Sequence, residues 1–149
     1  MNPIALLLKN PQFQAIAGVQ VFNVFGAQLL APILPLYLSS HGLSASQIGM
    51  VMGITAIGAL IMRPASGRSV DRYGSRPIIL FGQSILALCF SAYFWCTGFI
   101  PLLVIRFLHG AAQSFYSTAC VSFASSVESP RTTAGVISLF TVFTMVGLG

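Results

Sequence analysis

The sequence is poor in charge, and poorest in negative charge. Charged residues make up 6% of its 149 positions, and Asp71 and Glu128 are the only carboxylates. A soluble domain carries about 25% charged residues, so this balance excludes an ordinary water-facing surface. The three cysteines, Cys89, Cys96 and Cys120, sit in or beside apolar runs, with neither metal-ligand spacing nor a disulfide framework. A cleavable leader is missing too: Lys9 is followed by no short apolar stretch with a small-residue cleavage site, so the first apolar segment reads as an uncleaved anchor. Aromatic rings are scarce where the arginines cluster, Tyr73 being the only one there. One ring is a poor platform for stacking bases, so the net charge of +5 does not indicate a nucleic-acid partner. No apolar segment holds a carboxylate pair, a His/Asp/Glu metal cluster or a nucleophile–base pair, so the sequence reads as no enzyme and needs no metal or cofactor.

What is abundant is apolar sequence. Hydrophobic residues make up 56% of the chain, and the mean hydropathy is +0.88. Crossing the hydrocarbon as a helix takes about 20 apolar residues. Such segments run over residues 16–37, 44–64, 78–95 and 102–127, and a fifth occupies 134–149. At 1.5 Å per residue the fifth reaches only about 24 Å, short of a core about 30 Å thick. Because irregular backbone cannot face lipid, the expected fold is all-α: a polytopic bundle of four full transmembrane helices and part of a fifth, with the whole of 1–149 as one partial bundle. Polar turns separate the segments at 39–45, 97–101 and 128–132; Ser44 or Ser46 suits a helix N-cap, and Pro101 suits a first helical turn.

Orientation follows from the cations. Lys9, Arg63, Arg68, Arg72, Arg76 and Arg131 fall in the N-terminal segment and in alternate loops, and the other two loops carry none. The positive-inside rule then puts the N-terminus, and the basic loop of 63–77, in the cytoplasm of a multi-pass protein in the cell membrane.

Within that loop the spacing is Gly67-Arg-Ser-Val-Asp71-Arg72-Tyr-Gly74-Ser-Arg76-Pro77. A topological role alone accounts for the arginines, but not for one aspartate between two glycines. The pattern resembles the signature loop of the major facilitator superfamily, G-x-L-a-D-R-x-G-R-[KR]. Gly67, Asp71, Arg72, Gly74 and Arg76 match it, and Ser69, Val70 and Ser75 depart from it. The first segment holds Pro32-Ile-Leu-Pro35, similar to the P-x-x-P ending of the first helix in drug-exporter branches. The fourth holds Leu102-x-x-x-Arg106-x-x-His109-Gly110, similar to the l-x-x-x-R-x-x-q-G motif of proton-linked members, with His109 in place of glutamine.

The resemblance implies the N-terminal portion of a transporter of twelve helices in two bundles around a central cavity. It implies alternating access, proton-coupled efflux of small molecules, and the drug and sugar exporter branch of antiporters. It also implies that the cytoplasmic loop latches the two bundles, with Glu128 available to pair with Arg72 or Arg76. On this reading the chain is a fragment that lacks the C-terminal part of the transporter and does not transport alone. An uptake symporter of the same fold, and a truncated or non-transporting membrane component, are the alternatives.

The candidate cavity residues follow from helical spacing. Arg106, His109, Gly110, Gln113, Ser117 and Cys120 fall on one face of the fourth helix, and Leu108, Ala111, Phe115 and Ala119 cover the other. Ionisable groups in a span usually face an interior or an aqueous cavity, although Arg106 is near enough to a helix end to snorkel. His109 is the one side chain in a span that titrates near neutral pH, which fits either a proton carrier or a hydrogen-bonded packing residue. Gln20 and Asn23 share a face of the first helix and suit either substrate contact or interhelical hydrogen bonding. Gly49-x-x-x-Gly53 and Gly58 read as sites of close helix packing.

Overall fold

A computed structural model describes residues 11–96 and 98–127. They form four helices in the order α1 (Pro11–Ser40), α2 (Ala45–Tyr73), α3 (Ser75–Ala92) and α4 (Phe99–Val127). The fifth apolar segment at 134–149, Lys9 and Glu128 lie outside the described residues. The chain divides into two compact units; Pro35–Phe123 is one, and the part of α1 before it belongs to the other.

The turn between α1 and α2 forms as its residues dictate. His41 N–H bonds the Tyr37 carbonyl and Leu43 N–H the Leu38 carbonyl, both at 3.2 Å, and Gly42 takes a φ of 79° that only glycine adopts freely. Ser44 then caps α2 through a capping box: its Oγ accepts from Gln47 N–H at 3.3 Å, and Gln47 Oε1 accepts from Ser44 N–H at 2.9 Å.

The second segment differs from its expected extent. It was expected to end at Pro64, with a loop over 63–77; instead α2 continues unbroken through Pro64 to Tyr73. Lipid, not the helix, requires apolar residues, so polar sequence beyond the hydrocarbon continues as helix where nothing breaks it. Its 29 residues extend about 43 Å against a core of about 30 Å, which leaves room for the arginine-bearing turns outside. Arg72 in the last turn also suits the negative end of the helix dipole. The break comes at Gly74, with φ 83° and ψ 164°, and α3 starts at the next residue. α1 likewise runs past Pro32 and Pro35 to Ser40.

Among the described residues three helices are long and apolar enough to cross a membrane: Gly18–Ser40 within α1, and α2 and α3. α4 is as long as α2, but Arg106, His109 and Gln113 interrupt its apolar character. Burial in the Pro35–Phe123 unit differs from that of a soluble domain, because polar side chains share its apolar core and large apolar ones face out. Ser66, Ser114, His109 and Arg106 are buried, while Leu60, Leu80 and Leu88 are each about 70% exposed. Apolar side chains outside and polar ones inside are what a bilayer selects.

The helices in this unit meet on glycine. A Cβ on Gly58 of α2 would strike the Phe107 carbonyl oxygen of α4, and one on Gly110 of α4 would strike the Thr55 carbonyl oxygen of α2. A Cβ on Gly82 of α3 would lie 2.8 Å from Tyr116 N of α4. The packing expectation thus holds for Gly58, whereas Cβ atoms on Gly49 and Gly53 would meet nothing within 4 Å. The spacing of small residues marks a possible contact face, but only a facing backbone makes it one.

These contacts set opposite outcomes for chemically identical substitutions. Gly58→Ala and Gly110→Ala should each lower stability by about 1–3 kcal/mol through overpacking. Gly53→Ala should be neutral or raise it by up to about 1 kcal/mol, because alanine is the better helix former. Thermal unfolding of the purified protein in detergent checks both.

Candidate functional site

Two places hold the candidate residues, at opposite ends of α2. The first is the corner between α2 and α3. Gly67, Asp71 and Arg72 are on the last helical turns of α2, Gly74 is the corner itself, and Arg76 opens α3. Asp71, Arg72 and Arg76 are exposed, and the Arg72 guanidinium sits 5.2 Å from the centre of the Tyr73 ring. The two glycines separate in role. Gly74 needs its positive φ, whereas a Cβ on Gly67 would meet nothing within 4 Å. The expected pairing of Glu128 with Arg72 or Arg76 falls outside the described residues.

Behind this corner lies a seam of hydroxyls that sequence reading did not single out. Ser66 Oγ lies 3.0 Å from Thr118 Oγ1 and 3.4 Å from Ser114 Oγ, and it donates to the Arg63 carbonyl at 2.9 Å. Ser75 donates to Ser122 at 3.1 Å. Ser66 is fully buried and Ser114 nearly so. Ser114, Thr118 and Ser122 recur every fourth residue, so they line one face of α4. That spacing was the available signal, and it passed as background because serine and threonine are common in membrane helices.

The second place is the polar face of α4 toward the other end of the unit. Arg106 and His109 are 7% and 6% exposed. Arg106 Nη2 donates to Met52 Sδ of α2 at 3.4 Å, and its guanidinium carbon lies 5.8 Å from the Tyr93 ring centre. The His109 ring meets Phe90 edge to face at 5.2 Å and Tyr93 at 6.3 Å. Arg106 Nε, His109 Nδ1 and the Tyr93 hydroxyl have no hydrogen-bond partner among the described residues. Met52, Phe90 and Tyr93 are therefore part of this cluster, and apolar or aromatic residues near a span end gave no sequence signal for it.

The rest of the expected stripe is divided. Gln113 and Ser117 are half-buried and Cys120 is buried. Gly110 makes a close backbone contact with α2. On the opposite side Leu108 is exposed as expected, but Ala119 is completely buried, because α4 is covered by both α2 and α3. On α1, Asn23 is buried, Gln20 and Pro35 are half-buried, and Pro32 is exposed. Among the described residues no three His, Cys, Asp or Glu side chains gather as metal ligands do.

The corner and the seam differ in how much they stabilise. Gly74→Ala forces a non-glycine residue into backbone that only glycine favours and should cost about 1–3 kcal/mol. Ser66→Ala removes hydroxyl bonds worth about 0.6 kcal/mol on average, and about 1.7 at most, between membrane helices. Unfolding in SDS, followed by fluorescence of the single tryptophan, Trp95, should rank the two variants in that order.

Residues 16–149 match the Major Facilitator Superfamily. Quinolone resistance protein NorA of Staphylococcus aureus is 31% identical over 98 residues, covering 62% of this chain and 25% of that protein. Multidrug resistance protein 2 of Bacillus subtilis is 29% identical over 108 residues, covering 72% of this chain and 27% of its own length. The chain thus aligns with about a quarter of the length of these relatives. With a match across nearly all of its residues, and three helices among the described residues long and apolar enough to cross a membrane, the chain belongs to the major facilitator superfamily of membrane transporters, which are not enzymes.

Proposed function

We propose that the chain forms part of a secondary transporter that exports small organic molecules by alternating access, coupled to the proton gradient. The observation that carries this reading is the pair Arg106 and His109, ionisable side chains buried on α4. Ionisable side chains are expensive in a membrane interior and mark substrate or ion paths. Two relatives are named for resistance to drugs, which favours export over uptake. His109 is the candidate proton carrier, since histidine changes charge near neutral pH. Gln113 and Ser117 on the same helix are further candidates for polar contact with a substrate, and Gln20 and Asn23 are separate candidates on α1.

The same reading assigns the cell membrane as location and the cytoplasm to the N-terminus and the α2–α3 corner. Asp71, Arg72 and Arg76 then belong to a cytoplasmic latch that alternating access opens and closes. Such a cycle needs two bundles around one cavity, so the 149 residues by themselves should carry no flux.

The test is ethidium accumulation in cells carrying a complete two-bundle transporter that contains these residues, with the proton gradient imposed in either direction. Export predicts accumulation below the vector control, restored when the gradient is collapsed; accumulation above the control means uptake. His109→Gln should abolish the dependence on the gradient, and its full retention removes His109 from proton transfer. Orientation has its own measurement. In a variant without the native cysteines, Arg72→Cys should react with a membrane-impermeant maleimide in inverted vesicles but not in intact cells.

A further inference from the structure

We propose that the Arg106–His109–Tyr93 cluster is a binding site for the carboxylate of an aromatic small molecule. The inference starts from an uncompensated charge. Arg106 is more than nine-tenths buried, and a guanidinium is charged at any physiological pH. Its one described hydrogen bond goes to the Met52 thioether, a weak acceptor. Its Nε has no partner among the described residues. A buried charge held this way is destabilising unless an anion joins it.

No described side chain supplies that anion. Asp71 is the one carboxylate among the described residues, and it is 19 residues along α2 from Met52, about 28 Å away on a helix. The neighbours of Arg106 are instead further polar atoms without partners. His109 Nδ1, on the next turn of α4, and the Tyr93 hydroxyl are both unpaired among the described residues, and the Tyr93 ring is within 6.3 Å of both Arg106 and His109. A carboxylate accepts several hydrogen bonds at once, and arginine binds it with paired N–H groups.

The aromatic part of the ligand is indicated by what borders the cluster. An open cleft of about 560 Å³ is lined by Phe90, Ser91, Phe94 and Trp95. Phe90 belongs to both places, because its ring also meets His109 at 5.2 Å. The cleft is shallow, with Phe94 and Trp95 92% and 87% exposed, but aromatic rings beside unpaired polar groups favour an aromatic guest.

The proposal rests on the transporter reading only where it calls this ligand a substrate, and its test involves no flux. The purified protein in phosphatidylcholine nanodiscs is titrated with benzoate and, separately, with neutral benzamide, following Tm and equilibrium binding. Benzoate should raise Tm saturably, and benzamide should not. Arg106→Met should weaken benzoate binding at least about 30-fold, and Arg68→Gln, on the exposed face of α2, should leave it unchanged. Arg106→Met should also raise the ligand-free Tm, because an unpaired buried charge is replaced by an apolar side chain of similar length. A fall in that Tm overturns the proposal, since Arg106 would then already have an anion inside the protein. Equal effects of benzoate and benzamide, or benzoate binding that survives in Arg106→Met, overturn it as well. If phosphatidylglycerol in the nanodiscs reproduces the shift and blocks benzoate, the site takes a lipid headgroup and the proposal fails. Binding without ethidium export in cells would count against the transport reading and leave the site standing.

Discussion

The backbones of α2 and α4 touch, and the rest of the Pro35–Phe123 unit depends on that contact. Gly58 admits the Phe107 carbonyl of α4, and Gly110 admits the Thr55 carbonyl of α2, where any side chain would clash. Two helices this close fix each other's rotation. Once Gly110 faces α2, the spacing of 3.6 residues per turn decides where every other residue of α4 points. Arg106, four residues earlier, reaches Met52, and Ser114 and Thr118, four and eight residues later, reach Ser66. Gly82 against Tyr116 places α3 on another side of α4 in the same way, and His109 then falls between α4 and Phe90.

Lipid makes such contacts decisive. Leu60, Leu80 and Leu88 gain little by turning inward, because the lipid around them is as apolar as a protein core. Close packing of small residues and hydrogen bonds between helices do the holding instead. The hydroxyl seam is modest bond by bond, at about 0.6 kcal/mol each, so the glycine contacts hold the helices and the hydroxyls refine their register. Serines away from the seam satisfy themselves locally. Ser69, Ser84 and Ser91 donate to carbonyls four residues earlier on their own helices at 2.8–3.0 Å, which keeps these three hydroxyls from being left bare.

Much of the fold was legible in the sequence, and the unread parts share a cause. The apolar segments over 44–64, 78–95 and 102–127 overlap α2, α3 and α4, and of the two cap candidates, Ser44 and Ser46, Ser44 caps α2. These features depend on local chemistry, which a sequence states directly. The extension of α2 to Tyr73 was missed because arginine and serine mark the end of the hydrocarbon, not the end of a helix. Gly49 and Gly53 share the spacing of packing residues but meet no other helix among the described residues, whereas Gly110 of the polar stripe is a close contact. What a glycine touches depends on a partner about fifty residues away, and spacing along one helix does not contain it. For the same reason Arg106 and His109 were recognisable as buried polar groups, while Met52, Phe90 and Tyr93 were found only once three helices stood together.

The functional account inherits this geometry. A transporter moves bundles against one another, and each must stay rigid while it moves. Glycine contacts and a hydroxyl seam between α2 and α4 give that rigidity, while Arg106 and His109 stay buried near the other end of α4. The claim on which everything rests is that α2 and α4 meet along this line, and a disulfide tests it directly. In a protein with its native cysteines replaced by alanine, Ser66→Cys and Thr118→Cys put two thiols where the hydroxyl oxygens are 3.0 Å apart, close to disulfide reach. Mild oxidation in membranes should join them within one chain, while Ser66→Cys with Leu108→Cys, on the exposed face of α4, stays reduced. Failure of the first pair to join, or equal joining of the second, would contradict the account.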